Sequence, residues 1–219
     1  MNLKIILIIS LPILLSCHNP AEPDEILKDI DGNVYQTVQI GNQVWMAENL
    51  RVSRYRNGDP IPRVMTDADW SSLNSGAWSY YLNSESNGSI YGKLYNWYAV
   101  ADERGLCPEG WHVPGESGWE LLIQALGGEE IAGGKMKSTS LWLDPNVGAT
   151  NISGWSGLPG GNRREHGAFI EIRFAGFFLS SDEVSATRAP FWYLVSFDQD
   201  IRTLERSKRR GYSVRCVRN

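Results

Sequence analysis

The chain has 219 residues, 42% hydrophobic and 21% charged, with a formal net charge of −4, which fits one ordinary globular unit. A slightly acidic balance lacks the basic stripe of a duplex nucleic-acid binder, so nucleic acid is excluded as a first partner. Gly 22 and Pro 10 fall well short of the roughly 25–30% that marks low-complexity disorder.

The first sixteen residues carry one basic residue, Lys4, and an apolar run from Ile5 to Leu15. That run is too short to span a bilayer, which takes about 20 apolar residues, and has the layout of a secretory signal. It ends Leu14-Leu15-Ser16-Cys17, which resembles a bacterial lipobox. The resemblance implies residues 1–16 as a signal peptide, lipidation at Cys17 and residues 17–25 as a tether. His18 rather than Asp follows the Cys, which favours the outer membrane, facing either the periplasm or the surface. Of three cysteines one is assigned to lipid, and the remaining Cys107 and Cys216 are expected to pair where disulfides persist. Such a bridge closes a loop of about 110 residues, worth about 4 kcal/mol on the chain-entropy model.

Residues 26–49 read as a three-strand meander. Asp31-Gly32 and Gly41-Asn42 mark its turns, and Val34, Val38 and Ile40 point to one face. The run Asp29–Asn33 has its Gly at position 4 and Ile40 at position 12. An EF-hand needs Gly at 6 and Glu at 12, so a turn is expected there. Residues 51–90 are polar and read as a long surface excursion. Tyr91–Val100 reads as a buried strand or a short helix, with helix favoured.

Glu116–Leu126 is the clearest helix. Ser117 and Glu120 have capping-box spacing, Trp119, Leu122, Ile123 and Leu126 share a face, and Gly127-Gly128 ends it. Strands are expected at Phe169–Ile172, Gly176–Ser180, Phe191–Phe197 and Tyr212–Val217. The basic run Arg202–Arg210 reads as a solvated hairpin face.

Catalytic signatures are scarce. The three histidines, His18, His112 and His166, lack zinc spacing. Gly154-Trp155-Ser156-Gly157 lacks the second spacer of a nucleophile elbow, and Gly157-Leu158-Pro159-Gly160-Gly161 lacks the Lys-Ser/Thr of a phosphate loop. Paired-carboxylate hydrolysis remains open, with Asp144, Glu165, Glu171, Asp182 and Glu183 as candidates.

Seven colinear blocks resemble the Fibrobacter succinogenes major paralogous domain family. They are Asp31-Gly32-Asn33-x-Tyr35; Ile40–Gln43 continuing through Trp45–Leu50; Cys107–Pro114; Gly133-Gly134-Lys135-x-Lys137; Gly157–Gly161 with Arg163; Ser180-Ser181; and Ser213–Arg218. Gly115 and Gly118 depart from the Thr or Ser and the Glu usual at those positions. The resemblance implies an α+β, C-type-lectin-like fold related to formylglycine-generating enzymes, with twisted antiparallel strands, one or two short helices, long loops and termini brought together. It also supports the Cys107–Cys216 pairing. The reactive cysteines of the related enzymes are not carried over, and Trp45, Trp111 and His112 are expected in structural roles.

The expectation is an envelope-tethered, non-catalytic module that binds a glycan or an envelope protein. Its face is placed at Leu141–His166, where Trp142, Asp144, Trp155, Asn162, Arg163 and Arg164 offer stacking plates and hydrogen-bond forks. The alternatives are an envelope carbohydrate-active hydrolase and a structural or adhesion subunit. No cofactor is expected, and calcium stays open because a site of loop oxygens leaves no spacing signature.

Overall fold

The computed structural model describes residues 26–219; the signal segment, Cys17 and the tether lie outside the described residues. The N-terminal part forms two hairpins in place of a three-strand meander. β1 (Leu27–Lys28) pairs with β2 (Val34–Tyr35) across the Asp31-Gly32 turn, and β3 (Thr37–Ile40) pairs with β4 (Gln43–Met46) across Gly41-Asn42. The alternation breaks between the hairpins, so Val34 is 42% exposed and Tyr35 is buried in its place.

Residues 51–90 are not a surface excursion. They hold α1 (Asp67–Ser71), β5 (Trp78–Ser79), a single turn at Tyr81–Asn83 and α2 (Glu85–Tyr91), and they bury Tyr55, Trp70, Trp78 and Tyr81. The segment expected as one helix or one strand at Tyr91–Val100 divides. Gly92 ends α2, then come β6 (Leu94–Tyr95) and α3 (Trp97–Val100). Asn96 forces the division by capping α3, its Oδ1 accepting from Ala99 N at 3.2 Å.

After β7 (Trp111–His112) comes α4 (Glu116–Ala125), which buries Trp119, Leu122 and Ile123 as its spacing requires. Its cap differs from the expected box. The N-cap is Gly115, and Asp182, sixty-six residues away in sequence, accepts from Glu116 N at 2.5 Å. A Cβ on Gly115 would lie 3.0 Å from Asp182 Oδ1, so the departure from the family pattern leaves room for a cap supplied by a distant loop.

α5 (Glu129–Met136) leads to β8 (Gly160–Arg163), β9 (Phe169–Ile172), β10 (Ala175–Leu179), β11 (Arg188–Val195), β12 (Arg202–Ser207) and β13 (Val217–Arg218). The larger sheets run β12-β11-β10-β8-β9 and β3-β4-β13-β7, beside the two-stranded pairs β1-β2 and β5-β6, an α+β architecture of mainly antiparallel sheets and short helices. Of the last expected strand, Tyr212–Val217, only Val217 joins a ladder, in β13. Tyr212 and Ser213 make single bridges to Tyr95 and Phe178, which passes the segment between the sheets.

β13 sets Val217 against Trp45 of β4, and Cys216 is bonded to Cys107 over a Cα separation of 6.1 Å, as the cysteine arithmetic anticipated. Two hydrophobic clusters result. One is built on Trp45, Trp119, Trp155, Phe178 and Trp192, with Trp155 edge-on to Phe178 at 4.8 Å and Trp119 stacked on Trp192 at 5.9 Å. The other joins Tyr95, Phe177, Phe191, Tyr212 and the disulfide.

Candidate functional site

The residues expected to form a ligand face between Leu141 and His166 are mostly interior. Trp142 is buried and donates Nε1–H to the Gly157 carbonyl at 3.1 Å. Trp155 is fully buried in the tryptophan cluster. Asn162 is buried and donates to Glu171 Oε2 at 2.7 Å, and Arg163 is buried as well. A stacking plate needs a ring face open to solvent, and neither tryptophan has one. Asp144 and Arg164 alone of the six are exposed. The carboxylate candidates are also dispersed: Asp182 caps α4, Glu183 pairs with Lys208, Glu165 with Arg210, and Glu171 accepts from Asn162. The basic run is only partly solvated, since Lys208 is buried and lies 4.1 Å from the Trp97 ring centre.

Three basic residues from the family-like blocks share one arrangement: a buried cation answered by backbone carbonyls. Arg163 donates to the carbonyls of Val64, Met65, Thr66 and Gly167 and to Asp67 Oδ1 at 3.2 Å, with its guanidinium 4.4 Å from the Trp70 ring. Its grip folds the polar 51–90 region inward. Arg215 donates to the Met46, Trp155 and Ser156 carbonyls and to Asn49 Oδ1, and burial pulls its pKa down to about 9. Lys137 donates its three N–H groups to the carbonyls of Val147, Val195 and Asp198. A buried guanidinium or ammonium whose donors are taken up mainly by backbone carbonyls is a tie between segments. Lys137 has no N–H left for a ligand, and Arg163 and Arg215, each with four of five N–H groups engaged, are 0% exposed.

Lys93 differs. It follows Gly92, whose φ of 77° turns the chain out of α2 and whose missing Cβ admits Asn49 Cβ at 2.9 Å and the Leu50 carbonyl at 3.1 Å. That turn lays the side chain beneath Trp78, with Nζ 3.9 Å from the ring centre and donating to Ser53 Oγ. The residue is 3% exposed, yet it lines a cleft of about 350 Å³ with Asp31, Asn33, Arg51, Ser53, Tyr80 and α2. The volume lies at the lower end of small-molecule sites, roughly 300–1,000 Å³.

The cleft wall is built from the first hairpin. Asp29 accepts from Asp31 N, Asn33 N and Nδ2 and Tyr35 Oη, at 2.6–2.9 Å, so the Asp29–Asn33 segment is a turn, as expected. Asp31 in turn accepts from Ser53 N at 2.5 Å and Arg54 Nε at 2.6 Å. Burial pushes the Asp31 pKa up, but these donors and the Arg54 charge outweigh it and leave the carboxyl below the usual range. On the opposite side Tyr80 stands edge-on to Trp78 at 5.0 Å and beneath Arg63 at 4.9 Å. Its ring fills the space where Gly88 has no Cβ, which would come within 2.3 Å.

Burial drives the Lys93 pKa down to about 8, against the pull of Asp31 and Asp29 and with help from Arg63. The surrounding carboxylates are claimed by arginines: Asp31 by Arg54, Glu48 by Arg51 at 2.6 Å, and Glu85 by Arg63 at 3.4 Å. Among the described residues Lys93 has no carboxylate within ion-pair distance. Of its three N–H groups, one has Ser53 and one can face the indole, which leaves one without an acceptor. A buried, under-partnered amine with a displaced pKa at a cleft floor is a functional-site signature. Sequence reading passed over it. The signal was a single cation inside the otherwise apolar and aromatic Tyr91–Val100 stretch.

Two other features bear on chemistry. Among the described residues no group of three or more His, Cys, Asp or Glu side chains is placed to hold a metal ion. His112 is exposed on β7, its Nδ1 2.7 Å from Asn219 Oδ1. Comparison with curated proteins and with solved structures gives no match. The family model of the Fibrobacter succinogenes major domain matches residues 38–218, and the chain belongs to that family.

Proposed function

We propose that the protein is a lipid-anchored module of the bacterial envelope, held at the outer membrane through Cys17, that binds a glycan in the Lys93 cleft without catalysing its turnover. The observation that carries the reading is the floor of that cleft, where a buried cation short of acceptors lies beside the hydroxyls of Ser53, Tyr80 and Ser89. Hydroxyl-rich ligands exchange donors and acceptors with such groups, and a cation short of acceptors rewards an incoming oxygen more than a satisfied one does. The C-type-lectin-like arrangement is part of the proposal. Its support is the placement of β13 beside the N-terminal hairpin, the disulfide that fixes it, and the long loops that join short elements.

The test is a glycan array probed with the full chain in neutral detergent, with calcium and with a chelator. Saturable binding that disappears in Lys93→Met, with the melting curve kept, supports the reading. Chelator sensitivity would add a metal to it. A blank array with folded protein would overturn it in favour of a protein partner.

A further inference from the structure

Charge and size at the cleft narrow the ligand further, on the reading of the cleft as the binding site. The carboxylates at the rim, Asp31 and Glu85, and the neighbouring Glu48 are each held by an arginine, so of the two cations that line the cleft, Arg51 and Lys93, the one without a contacting counter-charge is Lys93. Its present partners are a neutral hydroxyl and an aromatic face, the weaker of the two kinds of acceptor an ammonium can have; an anionic oxygen is the stronger. Around it Asn33, Ser53, Tyr80 and Ser89 are uncharged hydrogen-bonding groups, suited to hydroxyls. Tyr80 in particular is held by its ring, against Trp78 and Arg63, and its hydroxyl has no partner among the described residues. A cleft of about 350 Å³ matches one compact unit in size.

The geometry points to a carboxylate-bearing saccharide as the ligand, its carboxylate on Lys93 Nζ and its hydroxyls toward Tyr80, Ser89 and Asn33. An acidic peptide offers the same carboxylate without the ring hydroxyls and is the rival source. Carboxylate binding favours the charged amine, so it raises the Lys93 pKa from its position near 8 and draws a proton from solvent above neutral pH. The charged and titratable groups facing this amine are Asp29 and Asp31 from the first hairpin, Arg51 from the loop after β4, Arg63 from the loop before β5, Tyr80 after β5 and Glu85 from α2.

The experiment is calorimetric titration of the full chain in neutral detergent. The probes are uronic-acid oligosaccharides of the galacto, gluco and manno series, each paired with its methyl ester, and an acidic peptide. The expected result is binding of one acid series at least about tenfold tighter than its ester, the loss of one charge-assisted hydrogen bond. Net proton uptake at pH 8.5, measured by repeating the titration in buffers of different ionisation heat, is expected alongside.

Lys93→Arg should keep the preference for acid over ester and Lys93→Met should abolish it. Tyr80→Phe, which removes no contact within the protein, should weaken acid and ester alike. Equal binding of acid and ester overturns the carboxylate assignment while leaving the glycan-binding reading intact. Equal, Lys93-dependent binding of the peptide overturns the saccharide class. Binding of neither series with a folded protein overturns both this inference and the reading beneath it. The acid–ester comparison needs no variant, so a misfolded mutant does not remove the test.

Discussion

Lys137 and Lys93 are both buried lysines whose pKa burial pulls down to about 8, and the regions around them are built for opposite ends. Lys137 spends three N–H groups on three carbonyls, of Val147 and, at and just past the end of β11, of Val195 and Asp198, while Lys93 finds one hydroxyl and an indole face. Burial and a shifted pKa are therefore not enough to identify a binding group. The informative quantity is donor capacity left over beside open space: Lys137 has none left, Arg163 and Arg215 are 0% exposed with four of five N–H groups engaged, and Lys93 has a spare N–H at a cleft. These three positions, all within family-like blocks, act as ties.

Breaking these ties should give the largest effects. Arg215→Met removes the donor from four acceptors, three of them in buried bonds. At about 1–3 kcal/mol for each unsatisfied group, it should remove most of a stability that for a domain is about 5–15 kcal/mol. Expression followed by circular dichroism should find little folded protein. Replacing Cys107 and Cys216 together by Ser releases a closure of 109 residues and should cost about 4–5 kcal/mol on the chain-entropy model, read as a shift of the urea midpoint.

The cleft side should respond more weakly. Gly88→Ala places a Cβ within 2.3 Å of the Tyr80 ring. The ring has to turn, at about 1–3 kcal/mol for an overpacked site, and glycan binding should fall further than the melting temperature. The smallest effect is a pH dependence. The Lys93 pKa is lowered in the fold, so between about pH 8 and 10 the unfolded chain holds a proton that the folded chain has released. Stability contributed at this residue therefore falls as pH drops from 10 to 8 and stays low below. The unfolding free energy of Lys93→Met relative to the parent should accordingly be most favourable at pH 7 and decline toward pH 10, measured by urea titration at each pH. The same measurement on Tyr80→Phe should show no such trend in that window.

Legibility of the sequence followed the range of the interactions. α4 was readable because Trp119, Leu122 and Ile123 bury one face at helical spacing; its cap was not, because Asp182 arrives from another loop. The Cys107–Cys216 bond was readable once Cys17 was set aside as the expected lipid site, which leaves two cysteines to pair. Residues 51–90 looked like surface because their polar composition hides tethers such as Arg163 to Val64, a separation of 99 residues. The ligand face was misplaced for a related reason. Trp142, Trp155 and Arg163 have the side chains of a binding surface, but the fold turns them inward, where Trp142 meets the Gly157 carbonyl and Arg163 four carbonyls. Lys93 was visible only as a lone cation in an aromatic stretch, and its meaning depends on Ser53, Trp78 and the Asp31 turn, which tertiary contact alone brings together.

The most direct measurement is the urea-unfolding free energy of Lys93→Met and of Lys137→Met, side by side at pH 7. Lys137→Met, which strands three carbonyls, should lose about 3 kcal/mol or more. Lys93→Met, which strands only a hydroxyl free to rotate, should stay within about 1 kcal/mol of the parent or exceed it, since an apolar group replaces a poorly paired buried charge. Equal losses in the two variants would contradict the division between saturated ties and a binding amine, and would place Lys93 among the structural cations.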